Sequence, residues 1–275
     1  MNRLRLVFLT PSAVIMALLF FVPLLIVLAY SLLTRGPYGG AMPPWTAESY
    51  SRVLDSLYIG ILWRSVWISA ISTALCLLAG FPLALYIARS SRHKVLLLNL
   101  VMLPFWTSFL IRTYAWMFLL RDTGLINSLL LGLHIVREPL PLLFNTGSVI
   151  LGLVYGYLPF MVLPLYATLE KLDPALLDAA ADLGASPFTA VHKVVLPLSR
   201  SGILAGCLLV FIPCLGAYLT PDLMGGGKTV MVGNLVQNQF TSARDWPFGA
   251  AFSLLLMAIV LLVTRLIGRR GEELL

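Results

Sequence analysis

The residues best suited to act on another molecule lie in a polar stretch near the middle of the second half of the chain. Asp178 and Asp182 lie four residues apart, with three alanines between them. On a helix this spacing puts both carboxylates on one face, where they offer acceptors to an Arg or Lys of a partner. The alanines leave the helix nearly bare, so another surface could approach its backbone closely. The pattern is typical of a helix that binds a protein.

Other patterns that could do chemistry lack required parts. The stretch DLMGGGKT at 222–229 resembles the end of a phosphate-binding loop, but Asp222 stands where the first glycine is required, and no strand precedes it. No HExxH pair and no nucleophile beside a base accompanies the three histidines, which are His93, His134 and His192. The three cysteines, Cys76, Cys207 and Cys214, do not have the paired spacing of a zinc site or of a disulfide framework. We expect no enzymatic, nucleotide or metal site in this chain.

The composition is that of an integral membrane protein. Of the 275 residues, 59% are hydrophobic and only 11% are charged. The mean hydropathy of +0.92 lies far above the range of soluble domains. A net charge of +7 would favour nucleic acid in a soluble protein, but most of these cations lie at the ends of apolar runs, where they anchor helices. We therefore expect a lipid bilayer, and no nucleic acid, as partner.

Six apolar runs are long enough to cross a bilayer, which takes about 20 helical residues. We predict an all-α integral membrane protein whose residues 1–275 form a single transmembrane domain. The first run is much longer than the apolar core of a signal peptide and no clear cleavage site follows, so we expect it to remain as a span. The predicted spans are 6–33, 66–88, 95–120, 148–169, 202–220 and 249–267.

The distribution of cations predicts the orientation. Six spans place both termini on one side of the membrane. With the N-terminus inside, eleven of the 19 Lys and Arg residues lie in inner segments, seven lie in outer loops, and Arg112 lies within the third span. Because inner loops are enriched in cations, we expect both termini in the cytoplasm.

The segment 170–198, between the fourth and fifth spans, contains two helix-start signals. Asp173 and Ser186 are each followed by a proline, which suits the first helical position because no amide donor is needed there. A helix over 174–183 would end at Gly184, which can adopt a left-handed cap. The sequence predicts a helix, a glycine corner and a second helix that leads into the fifth span.

The residues of this segment leave two interpretations open. The first helix could lie in a groove of another protein. Alternatively, the pair of helices could form a hairpin that lies against the lipid headgroups.

The segment is also similar to the cytoplasmic loop of ABC-importer permeases, whose signature is EAA, three residues, G, nine residues, then I-x-L-P. The two departures here are conservative, Asp for Glu and Val for Ile. In that family the loop is the coupling helix that sits in a groove of the cytoplasmic ATPase, so the resemblance implies an ATPase-coupling role for the matching residues. These are Asp178, Ala179, Ala180, Gly184, Val194, Val195, Leu196 and Pro197.

Longer stretches resemble the spermidine/putrescine permeases of the PotB and PotH type, over nearly all of the chain after about residue 60. This resemblance implies a type I, MetI-like importer permease in the bacterial inner membrane. It also implies a second permease subunit, a cytoplasmic ABC ATPase dimer that holds ATP and Mg, and a periplasmic substrate-binding protein, with no cofactor on this chain. The stretches are LPFWTSFLIRTYAWMFLL at 103–120, GLVYGYLPFMVLPLY at 152–166, GCLLVFIPCLGAY at 206–218, DLMGG at 222–226 and RDWPFGAA at 244–251.

A polyamine is a flexible di- or trication, so its passage requires aromatic faces or carboxylates in place of water. The six spans contain no internal acidic residue. We therefore expect aromatic rings along a pathway between the two permeases, with carboxylates supplied mostly by partners, although interfacial belts and bundle cores use the same residue types. Trp106, Tyr114 and Tyr218 rank highest because they lie beside span-breaking or small residues. The path candidates are Trp106, Tyr114, Tyr155, Tyr218 and Asp222.

Arg112 is the one cation deep in a predicted span and would repel a polyamine in an open path. We expect it to pair with a carbonyl or with a partner's carboxylate and fix helix packing, or to act in gating. Four prolines are expected to interrupt spans three to five and to provide kinks. They are Pro104, Pro159, Pro164 and Pro213.

Together these features predict the permease subunit of a binding-protein-dependent importer for polyamines, driven by ATP hydrolysis on a partner. One alternative is the same architecture with another substrate, such as another small cation, an opine or an amino-acid derivative. The other is an autonomous secondary transporter or channel, which the loop signature and the absence of carboxylates within the spans disfavour.

Overall fold

The computed structural model describes the backbone of residues 2–90 and 92–272 and the side chains of residues 10–90 and 92–265. Most of the described chain is helical, and the strands found there form one short hairpin, β1 (Leu33–Arg35) and β2 (Ala41–Trp45). In chain order the helices are α1 Asn2–Ser31, α2 Glu48–Val53, α3 Ser56–Arg89, α4 Lys94–Met102, α5 Phe109–Leu120, α6 Leu125–Gly132, α7 Thr146–Leu169, α8 Ala175–Asp182, α9 Pro187–Ala190, α10 Leu196–Leu198, α11 Arg200–Leu215, α12 Leu219–Gly225, α13 Val232–Phe240 and α14 Trp246–Glu272. The prediction of an all-α membrane protein is confirmed.

Four helices within the described residues are long and apolar enough to cross a membrane by themselves: α1, α3, α7 and α14. Two bent helix pairs bring the number to six when each pair counts as one span. Residues 94–106 and 109–132 meet at 89°, and residues 187–198 and 200–215 meet at 72°. The predicted fifth span, 202–220, is too long, because α11 ends at Leu215 and α12 begins at Leu219.

The break in the third predicted span lies at Thr107 and Ser108, shortly after Pro104. This proline lies in a single 3₁₀ turn, Leu103–Trp106, that follows α4. The next residue, Thr107, is extended and its hydroxyl donates to the carbonyl of Pro104 at 2.7 Å, which caps the turn. The predicted interruption at Pro104 is confirmed.

The expected interruption of the fourth span is wrong. Pro159 and Pro164 both lie inside α7, which continues through them to Leu169. A proline removes only one intrahelical donor, and in a membrane helix neighbouring packing can compensate for it. Pro213 lies two residues before the end of α11, where the loss of helical bonds is small.

Clustering of backbone contacts divides the chain into two compact units. One contains residues up to Gly60 together with Leu235–Leu262, and the other contains Ile61–Asn234 and the residues from Val263 onward. The 170–198 segment and all five path candidates belong to the second unit, so the functional argument below concerns that unit alone.

The second unit is organised by the packing of α7 against α11. Gly206 of α11 has no side chain, and a Cβ there would lie only 2.6 Å from Sδ of Met161 on α7. Small residues of this kind allow membrane helices to approach closely without the hydrophobic drive that operates in water. Buried side chains from both helices, including Met161, Leu165 and Val210, form the core around this contact.

In the first unit, the stretch RDWPFGAA that carries part of the resemblance forms the start of α14. Asp245 is 2% exposed and accepts from the Phe248 amide at 3.3 Å, which caps the helix. Its other carboxylate oxygen pairs with Arg52 at 2.9 Å, and the Arg52 guanidinium lies 4.6 Å from the Phe248 ring centroid. A buried carboxylate paired with a cation and an amide explains why an acidic residue stands at this position.

Candidate functional site

The first helix of the 170–198 loop begins as the sequence predicts. Asp173 Oδ1 accepts from the Ala175 amide at 2.9 Å, so the aspartate supplies one of the acceptors that a helix start lacks. The helix α8 then runs over Ala175–Asp182, one residue shorter at each end than the predicted 174–183. Asp178 and Ala179 are exposed on it, whereas Ala180 is buried. The alanines therefore divide between an outward face and a face that packs within the loop.

Gly184 forms the predicted left-handed corner. Its φ is +79°, a conformation in which a side chain is strained. The Gly184 amide donates to Ala181 O at 2.8 Å, and the Ala185 amide donates to Ala180 O at 2.9 Å, so both terminal carbonyls are satisfied. Among the described residues other than the two chain neighbours of Gly184, no atom lies within 4 Å of the position of an added Cβ. The backbone angle, rather than crowding within this chain, is what requires glycine.

The second half of the loop contains a π-helical turn that the sequence does not predict. Ser186 caps the next helix, with its Oγ accepting from the Thr189 amide at 3.2 Å. The helix α9 lasts only four residues before a π-helical turn, Val191–Val195, and α10 follows with Leu196 and Pro197. Residues 187–198 thus form one continuous helix, as predicted, with the π-helical turn in its middle. π-Helical turns are uncommon and are frequent at functional sites.

The motif residues at the end of the loop point in different directions. Val195 is buried, Val194 and Pro197 are half-buried, and Leu196 is 40% exposed. Val195 also accepts a 2.6 Å bond from Ser199 Oγ through its carbonyl, at the point where the loop meets α11. Val195 therefore fixes the end of the loop against the helix that follows, while Leu196 remains available at the surface.

Two apolar side chains that the sequence reasoning did not single out are the most exposed in this loop. Leu183, beside the glycine corner, is 89% exposed, and Phe188, on α9, is 80% exposed. The Phe188 ring stacks on His192, with centroids 6.3 Å apart and an interplanar angle of 20°. The loop therefore exposes two large apolar side chains as well as Asp178 and Ala179, a composition that suits protein binding. Their positions one residue from the glycine and one residue from the cap proline are the signal that could have identified them.

An ion pair links the loop's first residue to the start of α4. Lys94 Nζ lies 2.8 Å from Glu170 Oε1. The hydrogen bond from Lys94 lowers the pKa of the Glu170 carboxyl below its ordinary value. The pair joins the end of α7 to the start of α4 at the base of the loop.

The path candidates lie on several elements of the second unit, and α12, which carries Asp222, packs against both α5 and α7. Trp106 is 77% exposed at the break after α4, and Tyr114 is 46% exposed on α5. Tyr218 and Asp222 lie one turn apart at the start of α12, which follows α11. The Asp222 amide donates to the Tyr218 carbonyl at 3.0 Å. Of the five candidates, Tyr155 is the one that lines a described cavity near the bent third span, and it lies between two of them.

The two cavities beside Tyr155 differ in chemistry. One, of about 270 Å³, is lined almost wholly by aliphatic and aromatic side chains of α3, α4 and α7 and by the 3₁₀ turn that follows α4. The other, of about 310 Å³, contains the Tyr155 ring, the Trp116 ring, Thr107 and Arg112. The Trp116 and Tyr155 rings contact edge to face, with centroids 5.4 Å apart. Trp116, which is not among the path candidates, is therefore the structural partner of Tyr155.

Arg112 projects over aromatic rings. Its guanidinium carbon lies 4.4 Å from the Phe105 ring centroid and 5.6 Å from that of Phe109. Phe109 is three residues earlier on the same helix, a spacing visible in the sequence, whereas Phe105 reaches Arg112 only because the chain bends between them. The expected pairing with a carbonyl is not found for Nε and Nη1, which have no hydrogen-bond partner among the described residues.

Comparison with known proteins identifies the family. Residues 3–270 match the family described as binding-protein-dependent transport system inner membrane component. The chain belongs to this family. The permease is 43% identical to the spermidine/putrescine transport system permease protein PotB of Haemophilus influenzae over 93% of each chain. It is also 43% identical to PotB of Escherichia coli, over 94% of this chain and 96% of that one.

A solved structure supports the fold of the permease independently of sequence. It is similar to a chain in the crystal structure of a bacterial alginate ABC transporter in complex with an alginate pentasaccharide-bound periplasmic protein. The TM-score is 0.75 at 16% identity, over 99% of this chain and 95% of that one. At this identity the likeness concerns the fold alone. The predicted importer-permease fold is confirmed.

Proposed function

We propose that this permease carries polyamines such as spermidine and putrescine across the inner membrane as one subunit of an ABC importer. The observation that carries the proposal is the similarity, over nearly the whole chain, to permeases named for spermidine and putrescine transport. Because the similarity includes the spans as well as the loop, it bears on the substrate and not only on the architecture.

The 170–198 loop is proposed to be the part of the permease that an ATPase dimer drives from the cytoplasm. Its exposed surface has a carboxylate, a nearly bare helix and two apolar projections, which suits a groove that accepts a helix. The glycine corner and the capped ends make the loop a rigid unit, so a push on α8 is transmitted to α11 through the short helices that follow. Binding of ATP to the partner would thereby shift the balance between states open to either side.

The orientation of the chain and the other subunits of the importer follow from this proposal. Both termini lie in the cytoplasm, as the distribution of cations predicts. ATP and Mg bind the ATPase, and this chain contributes neither a cofactor nor a catalytic residue. A second permease subunit completes the pathway, and a periplasmic binding protein delivers the substrate from outside.

The substrate pathway is proposed to use aromatic faces on this subunit. A polyamine must exchange water for other favourable contacts, and an aromatic ring offers one to an ammonium group. The edge-to-face pair of Trp116 and Tyr155 lines an open cavity and offers such a surface in the second unit. Trp106, Tyr114, Tyr218 and Asp222 remain candidates at other points along the chain.

Uptake of labelled spermidine and putrescine tests this function directly. Cells that lack their own polyamine importers would receive this gene together with those of its ATPase, second permease and binding protein. We expect saturable uptake that disappears when the ATPase is inactivated, with amino acids failing to compete. If the assembled complex takes up no polyamine but an amino-acid derivative or another cation instead, the proposed substrate is wrong and the importer architecture is retained.

A further inference from the structure

Arg112 presents a charged group whose bonding is incomplete within this chain. Its Nε and Nη1 atoms are inaccessible to solvent and have no hydrogen-bond partner among the described residues. The rings of Phe105 and Phe109 cover the guanidinium, but aromatic faces do not replace the acceptors that its N–H groups require. A cation buried in a membrane span without an acceptor is strongly unfavourable, so an acceptor must come from outside the described chain.

The cavity beside Arg112 has room for such an acceptor. It has a volume of about 310 Å³ and is open on one side, with Thr107, Ala115 and Trp116 on its walls. None of the six predicted spans in the sequence contains an internal acidic residue. Neither of the two ion pairs found among the described residues involves Arg112.

We propose that Arg112 binds the carboxylate of an Asp or Glu side chain that the second permease subunit inserts into this cavity. This inference rests on the proposed function, which requires a second permease. A carboxylate matches the planar guanidinium fork, and it can accept from Nε and Nη1 once the Arg112 side chain turns from under the rings that enclose these atoms in the isolated chain. Because none of its predicted spans contains an acidic residue, a second copy of this chain could not supply the carboxylate from within a span, which favours a different chain as the partner.

A lipid phosphate is a poorer match for Arg112 than a protein carboxylate. Arg112 lies eight residues before the end of α5 at Leu120, which is about 12 Å along a helix. An Arg that reaches for headgroups extends along its helix, whereas this guanidinium lies against Phe105 and Phe109. The pairing also has a consequence for transport, because a neutralised Arg112 no longer repels a cationic substrate beside Tyr155.

The first test measures how much second permease co-purifies with this chain from membranes in detergent. We expect Arg112→Leu to reduce the recovery at least tenfold and Arg112→Lys to reduce it less, because a lysine keeps the charge but not the planar fork. Arg121→Leu is the matched control, since Arg121 is exposed at the end of the same helix and lies 5.3 Å from the Phe118 ring centroid. Recovery with Arg112→Leu equal to wild type would overturn the inference.

The second test identifies the acceptor. A photoreactive amino acid at position 115, on the cavity wall, should crosslink to a peptide of the second permease that contains an Asp or Glu. Crosslinking to lipid alone would overturn the inference. Exchanging the charges, with Arg112→Asp in this chain and the identified acid changed to Arg, should restore co-purification that either single change abolishes, and failure of this exchange would count against the pair. The exchange also decides the matter if Arg112→Leu fails to insert.

The outcomes separate this inference from the proposed substrate. If co-purification of the second permease depends on Arg112 but the complex takes up no polyamine, the inference about Arg112 stands and the proposed substrate is wrong. If polyamine uptake is normal and co-purification of the second permease does not depend on Arg112, the proposed substrate stands and the inference about Arg112 is wrong.

Discussion

The 170–198 loop and the cavity beside Tyr155 belong to the same compact unit but are built in opposite ways. In the loop, the bonds that form the caps and the corner join residues close in sequence, such as those at Asp173 and Gly184, although the Lys94–Glu170 pair ties the base of the loop to α4. In the cavity, the deciding contacts join distant positions, such as Trp116 with Tyr155. The loop is complete within this chain, whereas the cavity holds a guanidinium without all its acceptors. The comparison indicates that the loop is a finished part offered to a partner and that the cavity is one half of a site.

Replacing Gly184 should give the largest effect on uptake, because it disturbs the loop that the ATPase is proposed to drive. The cavity beside Tyr155 stays unchanged. Gly184→Val forces a β-branched side chain into a left-handed conformation, at a cost of roughly 1–2 kcal/mol or more. Since no atom of this chain opposes the new Cβ, the protein should insert at its normal level. We expect ATP-driven uptake to be lost, as measured with labelled spermidine.

The matched control for this change is Gly184→Asn, because asparagine tolerates the left-handed region. It should retain much of the uptake. Wild-type uptake by Gly184→Val would contradict the role of the corner. Loss of uptake in both variants, in complexes whose ATP hydrolysis is unchanged, would also contradict it.

A change in the cavity should give a smaller, graded effect. Tyr155→Ala removes one aromatic face and the support of the Trp116 ring, and a cation–π contact is worth about 1 kcal/mol, or about fivefold in kcat/KM for uptake. Tyr155→Phe keeps the face and should be near wild type. Tyr114→Ala, at a ring outside this cavity, should have less effect than Tyr155→Ala. The reverse order would move the substrate path to the exposed face of α5.

The ion pair at the base of the loop should give the smallest effect. Lys94→Met removes the partner of an exposed Glu170, and exposed pairs contribute little, so uptake should fall by less than about twofold. The pKa of Glu170 is lowered in the folded state, so the pair stabilises the protein above the ordinary value of 4.5 and loses this effect as the pH falls through the lowered pKa. The difference in thermal stability between wild type and Lys94→Met should therefore be present at pH 7 and shrink as the pH falls below 4.5 and through the lowered pKa. A difference that grows in acid would contradict this assignment.

Local features of the sequence predicted most of the loop and little of the cavity. The cap at Asp173, the corner at Gly184 and the cap at Ser186 follow from the properties of single residues and are confirmed. The π-helical turn after Ala190 could not be predicted. Its change from i→i+4 to i→i+5 backbone hydrogen bonds depends on how Val195 is buried against the rest of the unit.

The reasons for failure in the spans are equally specific. Pro104 breaks its span and Pro159 does not, although both are prolines in apolar runs, because packing against α11 supports α7. The pairing of Trp116 with Tyr155 joins two helices and leaves no local signature in the sequence. The roles assigned to the path candidates remain predictions.

The central claim is that the 170–198 loop is the contact between this permease and its ATPase. A thiol-to-amine crosslinker attached at Leu183→Cys, the most exposed apolar position of the loop, tests it in the assembled complex. Leu133→Cys, 68% exposed after α6, is the matched control, and the unmodified chain accounts for the three native cysteines, which are buried or half-buried. We predict a crosslink from position 183 to the ATPase whose yield changes with ATP, and none from position 133. An assembled, transport-competent complex that gives no crosslink from position 183 would contradict the claim.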